Sequence, residues 1–169
     1  GGEFFDGSDT DWNLRLLDSG DFERIYDDGR ICLFDSQGRL ISETSSKGHT
    51  TTYYYNSSDY LESIKDQWGN QISIQYDAKG MAQSVSSPWG AVWFLDYDEN
   101  GNLVTMSQPD GSEWRFDYDE NSLMKEKTPP GKGKTVYGYT DSRITSVDSP
   151  GSGSLSITPG ALGGQFNKA

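Results

Sequence analysis

The stretch that decides the fold is "DYDENGNLVTMSQPDGSEWRFDYDEN", which runs from Asp96 to Asn121. The pentapeptide Asp-Tyr-Asp-Glu-Asn stands at both of its ends, and its two copies begin 21 residues apart, at Asp96 and Asp117. Five identical residues at a fixed offset indicate either a duplicated binding loop or one period of a longer repeat. The two interpretations differ in what they predict. A duplicated loop predicts a ligand site, whereas a repeat predicts a fold built from repeated structural units.

An aromatic residue recurs at the same offset of 21 along most of the chain. We call these residues the anchors, and they are Phe34, Tyr55, Tyr76, Tyr97, Tyr118 and Tyr139. Residues typical of tight turns stand four positions after the first four anchors, at Gly38, Asp59, Gly80 and Gly101. Fourteen positions after the same four anchors are Gly48, Gly69, Gly90 and Gly111. The repeat therefore covers roughly residues 22–147 and is more than a single duplication.

The residues before each anchor alternate between apolar and polar. Trp93, Leu95 and Tyr97 are one example, and a period of two predicts a strand with one buried face. The segment "YDENGN" that follows predicts a turn, because Asp and Asn side chains bond their own backbone and Gly101 adopts positive φ at little cost.

A second strand follows each of these turns. Its apolar residues are three apart, as in Leu103 and Met106, so we expect a β-bulge there. Pro109-Asp110-Gly111 then provides a second turn. The predicted fold is all-β, an antiparallel meander of β-hairpins with about 21 residues per repeat that forms a twisted, spiralling strip.

The two ends of the chain depart from the period. Residues 1–21 are predicted to be a leading hairpin or edge segment, with Trp12–Leu16 facing Phe22–Tyr26, and residues 22–148 to be the repeat strip. Residues 149–169 are rich in Gly and Ser and show no strand pattern beyond Leu155–Ile157. We expect this part to be a mobile or partner-docked tail.

Charge and residue counts exclude several classes of function. The formal net charge of −12 disfavours binding to phosphate backbones and to anionic membrane surfaces. No run of 18 apolar residues is present, so membrane insertion is not expected. Cys32 and His49 are the only residues of their kinds, which argues against a disulfide, a catalytic Cys–His arrangement and most metal sites. No metal and no cofactor are expected.

The periodic residues resemble a known family signature. The strings are "FDSQGRLISETSSKGHTTTYYYN" from Phe34, "YDAKGMAQSVSSPWG" from Tyr76 and "YDENGNLVTMSQPDGSEWRFDYD" from Tyr97. They are similar to the YD repeats of the Rhs family, whose unit reads Tyr-Asp-x-x-Gly-Arg-Leu followed by a Pro-x-Gly turn. Glycine is missing after Tyr55, Tyr118 and Tyr139, so altered turns are expected in those units.

The resemblance implies a structural function. Long members of the family close the strip into a hollow shell that encapsulates a toxin or stands on the cell surface, as in bacterial Rhs proteins, insecticidal toxin complexes and animal teneurins. The repeats themselves are similar to scaffolding and not to an enzyme, which predicts a non-catalytic module of a secreted or cell-surface protein, from a bacterium. The family's autoprotease motif, Asp-Pro-x-Gly-Leu, is not matched by "DSPG" at Asp148, so no catalytic residues are assigned.

Two apparent ligand motifs are better explained as turns. Asp96 to Gly101 match the first half of a calcium-binding loop, but Ser107 stands where the bidentate Glu is needed. "GKGKT" at Gly131 superficially resembles a phosphate-binding loop, yet Thr128 replaces the first Gly of the motif and no helix pattern follows.

Glycan binding is the alternative function. Trp68 and Trp89 stand beside turn glycines, and exposed aromatics of this kind stack on sugar rings; we call them the turn tryptophans. Trp93 and Trp114 lie on the alternating apolar face and are predicted to be core residues.

The expected partners follow from the sheet edges. Five or six hairpins are too few to close a shell, and an open strip leaves edge strands that pair with other chains. The sequence therefore predicts pairing with neighbouring YD repeats or with copies of the chain itself, to which the Gly-rich tail could add a strand.

Overall fold

The computed structural model describes residues 4–6, 12–158 and 165–168, in which all regular elements are strands. No helix of these residues could cross a membrane. The chain divides into two compact units, of which unit 1 comprises residues 1–75 and 85–91 and unit 2 residues 76–84 and 92–169.

The described residues form seventeen strands. The strands at the unit 1 end are β1 (Phe4–Asp6), β2 (Trp12–Leu16), β3 (Phe22–Tyr26), β4 (Ile31–Phe34), β5 (Leu40–Thr44), β6 (Thr50–Tyr55), β7 (Leu61–Asp66) and β8 (Gln71–Tyr76). Strand β9 (Ala82–Ser86) has residues in both units, and so does β8, whose last residue, Tyr76, lies in unit 2. Unit 2 contains β10 (Val92–Tyr97), β11 (Leu103–Ser107), β12 (Glu113–Tyr118), β13 (Met124–Thr128), β14 (Thr135–Thr140), β15 (Arg143–Ser149), β16 (Gly153–Thr158) and β17 (Gln165–Lys168).

Each unit is an antiparallel meander. In unit 1 every strand from β1 to β7 pairs antiparallel with the next one along the chain. In unit 2 the same holds from β10 to β17. The predicted all-β fold of repeated antiparallel hairpins is thus confirmed, and each predicted 21-residue repeat contains two strands.

The hairpin loops from β2–β3 to β12–β13 share one geometry. In the turn after Tyr97, the Gly101 amide donates to the Asp98 carbonyl at 3.1 Å and the Asp98 amide donates to the Asn102 carbonyl at 2.9 Å. Gly101 has φ of 84°, as expected for a type I turn completed by a left-handed residue. This three-residue loop fits the twist of antiparallel strands, which explains why the spacing of the turns is so regular.

The predicted bulge is present in the strand after the anchor. In β11, Leu103 faces Tyr97 and Thr105 faces Asp96, which leaves Val104 as the extra residue. The same register shift recurs between β4 and β5, β6 and β7, β12 and β13, and β14 and β15. The apolar spacing of three is therefore the sequence mark of this bulge.

The described side chains are largely half-buried. Among residues 12–157, Cys32 is the only apolar side chain that is buried, and none has an accessibility below 2%. Ser63 and Ser84, the other buried residues, are small and polar. We call the aromatic side chains that alternate along the strands the aromatic ladder. These side chains are covered by their neighbours on the same sheet, such as the stacked Trp114 and Phe116 rings at a centroid distance of 6.5 Å, and not by a second layer within a unit.

Two expectations about the turns and the tail differ from the structure. Asp59 and Ser122 replace the turn glycine at φ of 62° and 60° but keep both backbone hydrogen bonds, so the turns after Tyr55 and Tyr118 are not altered. The turn after Tyr139 does change: Asp141 and Ser142 both have positive φ and form a two-residue loop.

Strands β2 and β3 form an antiparallel hairpin, with Trp12 facing Tyr26. The prediction of a tail without strands beyond Leu155–Ile157 is wrong for its described residues. Strand β16 spans Gly153–Thr158 and pairs with β15, and β17 pairs with β16. The physical reason is local, since Pro150 and Gly151 start a turn after β15 and the alternating Ser-Leu-Ser-Ile run then pairs back. The boundaries proposed for the leading segment, the strip and the tail remain predictions.

Candidate functional site

The anchors lie at the ends of strands and bond to the preceding repeat. The first five anchors are the last residues of β4, β6, β8, β10 and β12, and Tyr139 is the penultimate residue of β14. The Tyr97 hydroxyl donates to the Ala82 carbonyl at 2.9 Å. The Tyr55 and Tyr139 hydroxyls donate in the same way to Leu40 and Met124, also at 2.9 Å. Each bond spans 15 residues, so these tyrosines connect one hairpin with the one before it.

The aspartate after an anchor forms the turn. Asp98 Oδ1 accepts hydrogen bonds from the amides of Asn100 and Asn102 at 2.9 and 2.8 Å, and Oδ2 accepts from Asn102 Nδ2 at 2.9 Å. Asn56, the departure from the family pattern, accepts the same pair of amide bonds through its Oδ1. The Asp of the Tyr-Asp pair is therefore a turn-forming residue whose oxygens are already occupied.

Each anchor and the turn that follows it form a corner between two strands. The pKa values of the residues at these corners follow from their geometry. Hydrogen bonds from Asn102 hold the pKa of Asp98 below its ordinary value, and those from Arg39 do the same for Asp35. Burial, and then the charge of Asp77, raises the pKa of Tyr97; burial and then Asp98 raise that of Tyr118. Neutral tyrosine hydroxyls and ionised turn carboxylates are thus both favoured.

Arginine connects the first two corners in unit 1. Arg39 Nε bonds Asp35 Oδ2 at 2.7 Å within its own turn, and its Nη1 pairs with Asp59 in the next repeat. Its guanidinium lies 5.0 Å from the centre of the Tyr55 ring. The Arg of the Tyr-Asp-x-x-Gly-Arg unit therefore acts in packing and ion pairing between repeats.

The turn tryptophans are the most exposed aromatic residues described. Trp89 is 85% exposed and Trp68 is 67% exposed. Trp68 lies next to His49, whose ring contacts it edge-on at a centroid distance of 5.2 Å. Gln67 Oε1 accepts a hydrogen bond from the Thr50 amide at 3.2 Å, which joins the β7–β8 turn to the start of β6, just after the β5–β6 turn.

His49 and Gln67 were not predicted from the sequence to be neighbours of Trp68. Their positions 15 and 12 residues after an anchor were the available signal, because equivalent turns lie side by side in a meander. Trp93 and Trp114, predicted to be core, are half-buried in the strands β10 and β12.

The remaining candidate chemical groups are arranged as parts of the fold. Cys32 is buried, and burial raises the pKa of its thiol, which disfavours the nucleophilic thiolate. The "GKGKT" segment belongs to the loop between β13 and β14. Within the described residues, no group of three or more His, Cys, Asp or Glu residues is placed to hold a metal ion.

Solved structures share this fold. The structure titled TcdB2-TccC3-Cdc42 has a TM-score of 0.58 and 13% identity, and the match covers 88% of this chain and 10% of that one. The Photorhabdus luminescens Tc holotoxin pore has a TM-score of 0.59 and 17% identity, with coverage of 83% and 9%. The chain thus spans about a tenth of the length of these solved chains. A comparison with curated protein sequences gives no match.

The family follows from the sequence profile that the repeats match. The profile described as Teneurin YD-shell matches residues 29–150, which is most of the chain and includes all six anchors. These residues also form the corners and bulges described above. The chain therefore belongs to the teneurin YD-shell family, within the wider group of Rhs and YD-repeat proteins.

Proposed function

We propose that this chain is a non-catalytic wall segment of a longer YD-repeat protein, secreted or displayed at the cell surface, that helps to enclose or support another part of the assembly. The observation that carries the proposal is the incomplete burial of the aromatic ladder. Cys32 is the only buried apolar side chain among residues 12–157, although the hairpins pair throughout each unit. Such a sheet has the strand pairing that a wall needs, but among residues 12–157 it has few buried side chains.

The free energy of folding favours this interpretation. Buried apolar area stabilises a domain by about 25 cal/mol per Å², and half-exposed strand faces gain only part of that. A long wall with further repeats gives such faces additional neighbours. The chain's span of about a tenth of the solved chains that it resembles is consistent with a segment of a larger wall.

Sheet edges supply the means of association. The registered pairings run in chain order from β1 to β8 and from β10 to β17, so β1 and β17 each have one registered neighbour within their own unit. Edge strands carry backbone groups that pair with another strand when one is present. Neighbouring YD repeats of the parent protein, or a second copy of the chain, would meet that need.

Particle mass over a concentration series tests the proposal. We expect multi-angle light scattering to show self-association that increases with concentration, and electron microscopy to show sheets, filaments or closed particles. Gln165→Lys with Asn167→Lys places two charges in β17 and should reduce the association. Gln37→Lys with Ser46→Lys, two exposed turn positions, adds the same charge and should not. A monomer at all concentrations would contradict the proposal.

A glycan-binding function is the second candidate, and the exposure of the turn tryptophans favours it. Trp89 at 85% and Trp68 at 67% exposure leave most of each side chain open to solvent, and exposed aromatic rings stack on sugars. Binding measured on a glycan array and by calorimetry should be lost in Trp68→Ala or Trp89→Ala. Tyr54→Ala, which removes an aromatic side chain exposed on strand β6, is the matched control and should retain it. No binding by the unmodified protein would reject this candidate.

A further inference from the structure

The loop between β13 and β14 differs from the other hairpin loops of the repeat. The last registered pair of these strands is Lys127 with Thr135, after which Pro129 and Pro130 cannot donate to a ladder. Residues 131–134 are all exposed, and the turn is held by a single long bond, from the Lys132 amide to the Pro129 carbonyl at 3.3 Å. The loop is therefore longer and less restrained than its equivalents.

Open space lies between this loop and the β11–β12 turn. Grooves of about 370 and 600 Å³ separate residues 129–132 from residues 108–115 of unit 2. On another side Gly133 contacts the Pro150 ring, where a methyl group on Gly133 would come within 2.6 Å of Cγ. That contact is apolar packing and adds no backbone hydrogen bond to the loop.

The dipeptide at the centre of this loop occurs twice more in the chain, in better-restrained turns, which allows a direct comparison. The dipeptide Lys-Gly occurs at Lys132–Gly133 and also at Lys47–Gly48 and Lys79–Gly80, and all three lysines are exposed. Lys47 and Lys79 lie in turns that two backbone hydrogen bonds close, of 2.8 and 2.9 Å around Lys47 and of 2.9 and 3.0 Å around Lys79. The three peptide bonds therefore have the same residues on both sides and differ in their restraint.

Neighbouring lysines are held more firmly. Lys134 forms an ion pair with Glu126 at 2.6 Å and precedes the first residue of β14. Lys127 lies within β13. Lys132 is the lysine of this segment with exposed, non-strand residues on both sides.

We propose that the 129–134 loop is a processing site for trypsin-like serine proteases, which cleave the Lys132–Gly133 bond. A lysine enters the specificity pocket of such a protease, and the flanking residues must leave their own hydrogen bonds to extend in its cleft. Water is the co-reactant: its oxygen joins the Lys132 carbonyl carbon, the bond to the Gly133 nitrogen breaks, and a carboxylate and an ammonium group are formed. Cleavage at exposed loop tips requires only local opening.

Limited proteolysis with trypsin tests the proposal on the full chain. Mass spectrometry at early times should show fragments 1–132 and 133–169, produced at least about tenfold faster than fragments ending at Lys47 or Lys79, because those turns must first break two hydrogen bonds. Lys132→Gln should remove the early fragments, whereas Lys79→Gln should leave their rate unchanged.

Cleavage of the unfolded chain is the control that separates the effect of structure from the effect of local sequence. In urea that unfolds the chain but leaves trypsin active, the three Lys-Gly bonds should be cleaved at similar rates, which attributes the native preference to structure. Native cleavage at Lys47–Gly48 or Lys79–Gly80 as fast as at Lys132–Gly133 would overturn the proposal. So would an unchanged preference in urea.

Discussion

At the scale of single residues, the Tyr-Asp pair has two separate roles. Asp98 shapes the turn through its own backbone, whereas the Tyr97 hydroxyl bonds a carbonyl 15 residues earlier. The first role could be predicted from sequence, because Asp is a well-known turn former and its partners are two and four residues away. The second could not, since it depends on the register between repeats.

Replacing Asp98 separates geometry from charge. Asp98→Ala removes the acceptor of two backbone amides and should lower the free energy of unfolding measurably. Asp98→Asn should cost less than half of that, because Asn56 supports the same turn with an amide oxygen. Urea denaturation followed by circular dichroism measures both changes. Equal losses in the two variants would assign the stabilisation to the charge instead.

The same turn carboxylates predict a direction of pH dependence. Hydrogen bonds lower the folded-state pKa of Asp35, Asp66, Asp98 and Asp110 below 3.8. A lowered pKa gives stability that is fully present above the unfolded value and is lost as the pH falls through the folded value. We therefore expect the melting temperature to fall on acidification below about pH 4, and Asp98→Asn to reduce the slope of that fall.

At the scale of elements, the sequence predicted strands, turns and bulges for identifiable reasons. Alternation marked the strands, and the apolar spacing of three marked the extra residue of β11. The strand β16 was predicted only in part, as Leu155–Ile157, because its other residues are small or polar and pairing with β15 outweighs their weak pattern. Turn chemistry was overestimated at Ser122, where the two closing hydrogen bonds hold a residue other than Gly at positive φ.

A reciprocal exchange at two equivalent turns tests that last point. Ser122 and Gly101 occupy the same turn position, at φ of 60° and 84°. Ser122→Gly removes the steric cost of a left-handed side chain, about 1–2 kcal/mol, but adds an entropic cost of about 0.5–1 kcal/mol from the freer backbone, so it should stabilise by up to about 1.5 kcal/mol. Gly101→Ser should destabilise by a similar amount. Thermal unfolding of both variants measures this, and a destabilising Ser122→Gly would show that the turn favours Ser.

At the scale of the whole molecule, the period was predictable but its surroundings were not. The offset of 21 fixes which residues occupy equivalent corners, and Phe34 to Tyr139 all lie at or next to strand ends. What covers the half-exposed aromatic faces depends on residues far apart or in other chains, and the spiral of the strip depends on small angles summed over many strands. Those properties stay predictions.

Deleting one period tests whether the chain is a modular wall. Removal of residues 98–118 joins Tyr97 to Asp119 and restores the sequence Asp-Tyr-Asp-Glu-Asn at the junction. Tyr97 would then take the place of Tyr118, which faces Met124 across the next bulge. Repeat proteins tolerate such changes because each unit contacts its neighbours. The variant should unfold cooperatively, with a urea m-value lower by about one eighth, in proportion to the chain removed.

A half-period deletion is the matched control for that experiment. Removal of residues 98–108 takes out one strand and one turn, so every later strand runs in the opposite direction and Tyr118 and Tyr139 move to the other edge of the sheet. The bond from Tyr139 to the Met124 carbonyl involves only later residues and would survive, whereas the corner at Tyr97 loses its turn. We expect a larger loss of stability from this shorter deletion. If the full-period deletion is the more damaging of the two, residues 98–118 carry a specific site, and the chain is not the interchangeable wall segment that its repeats predict.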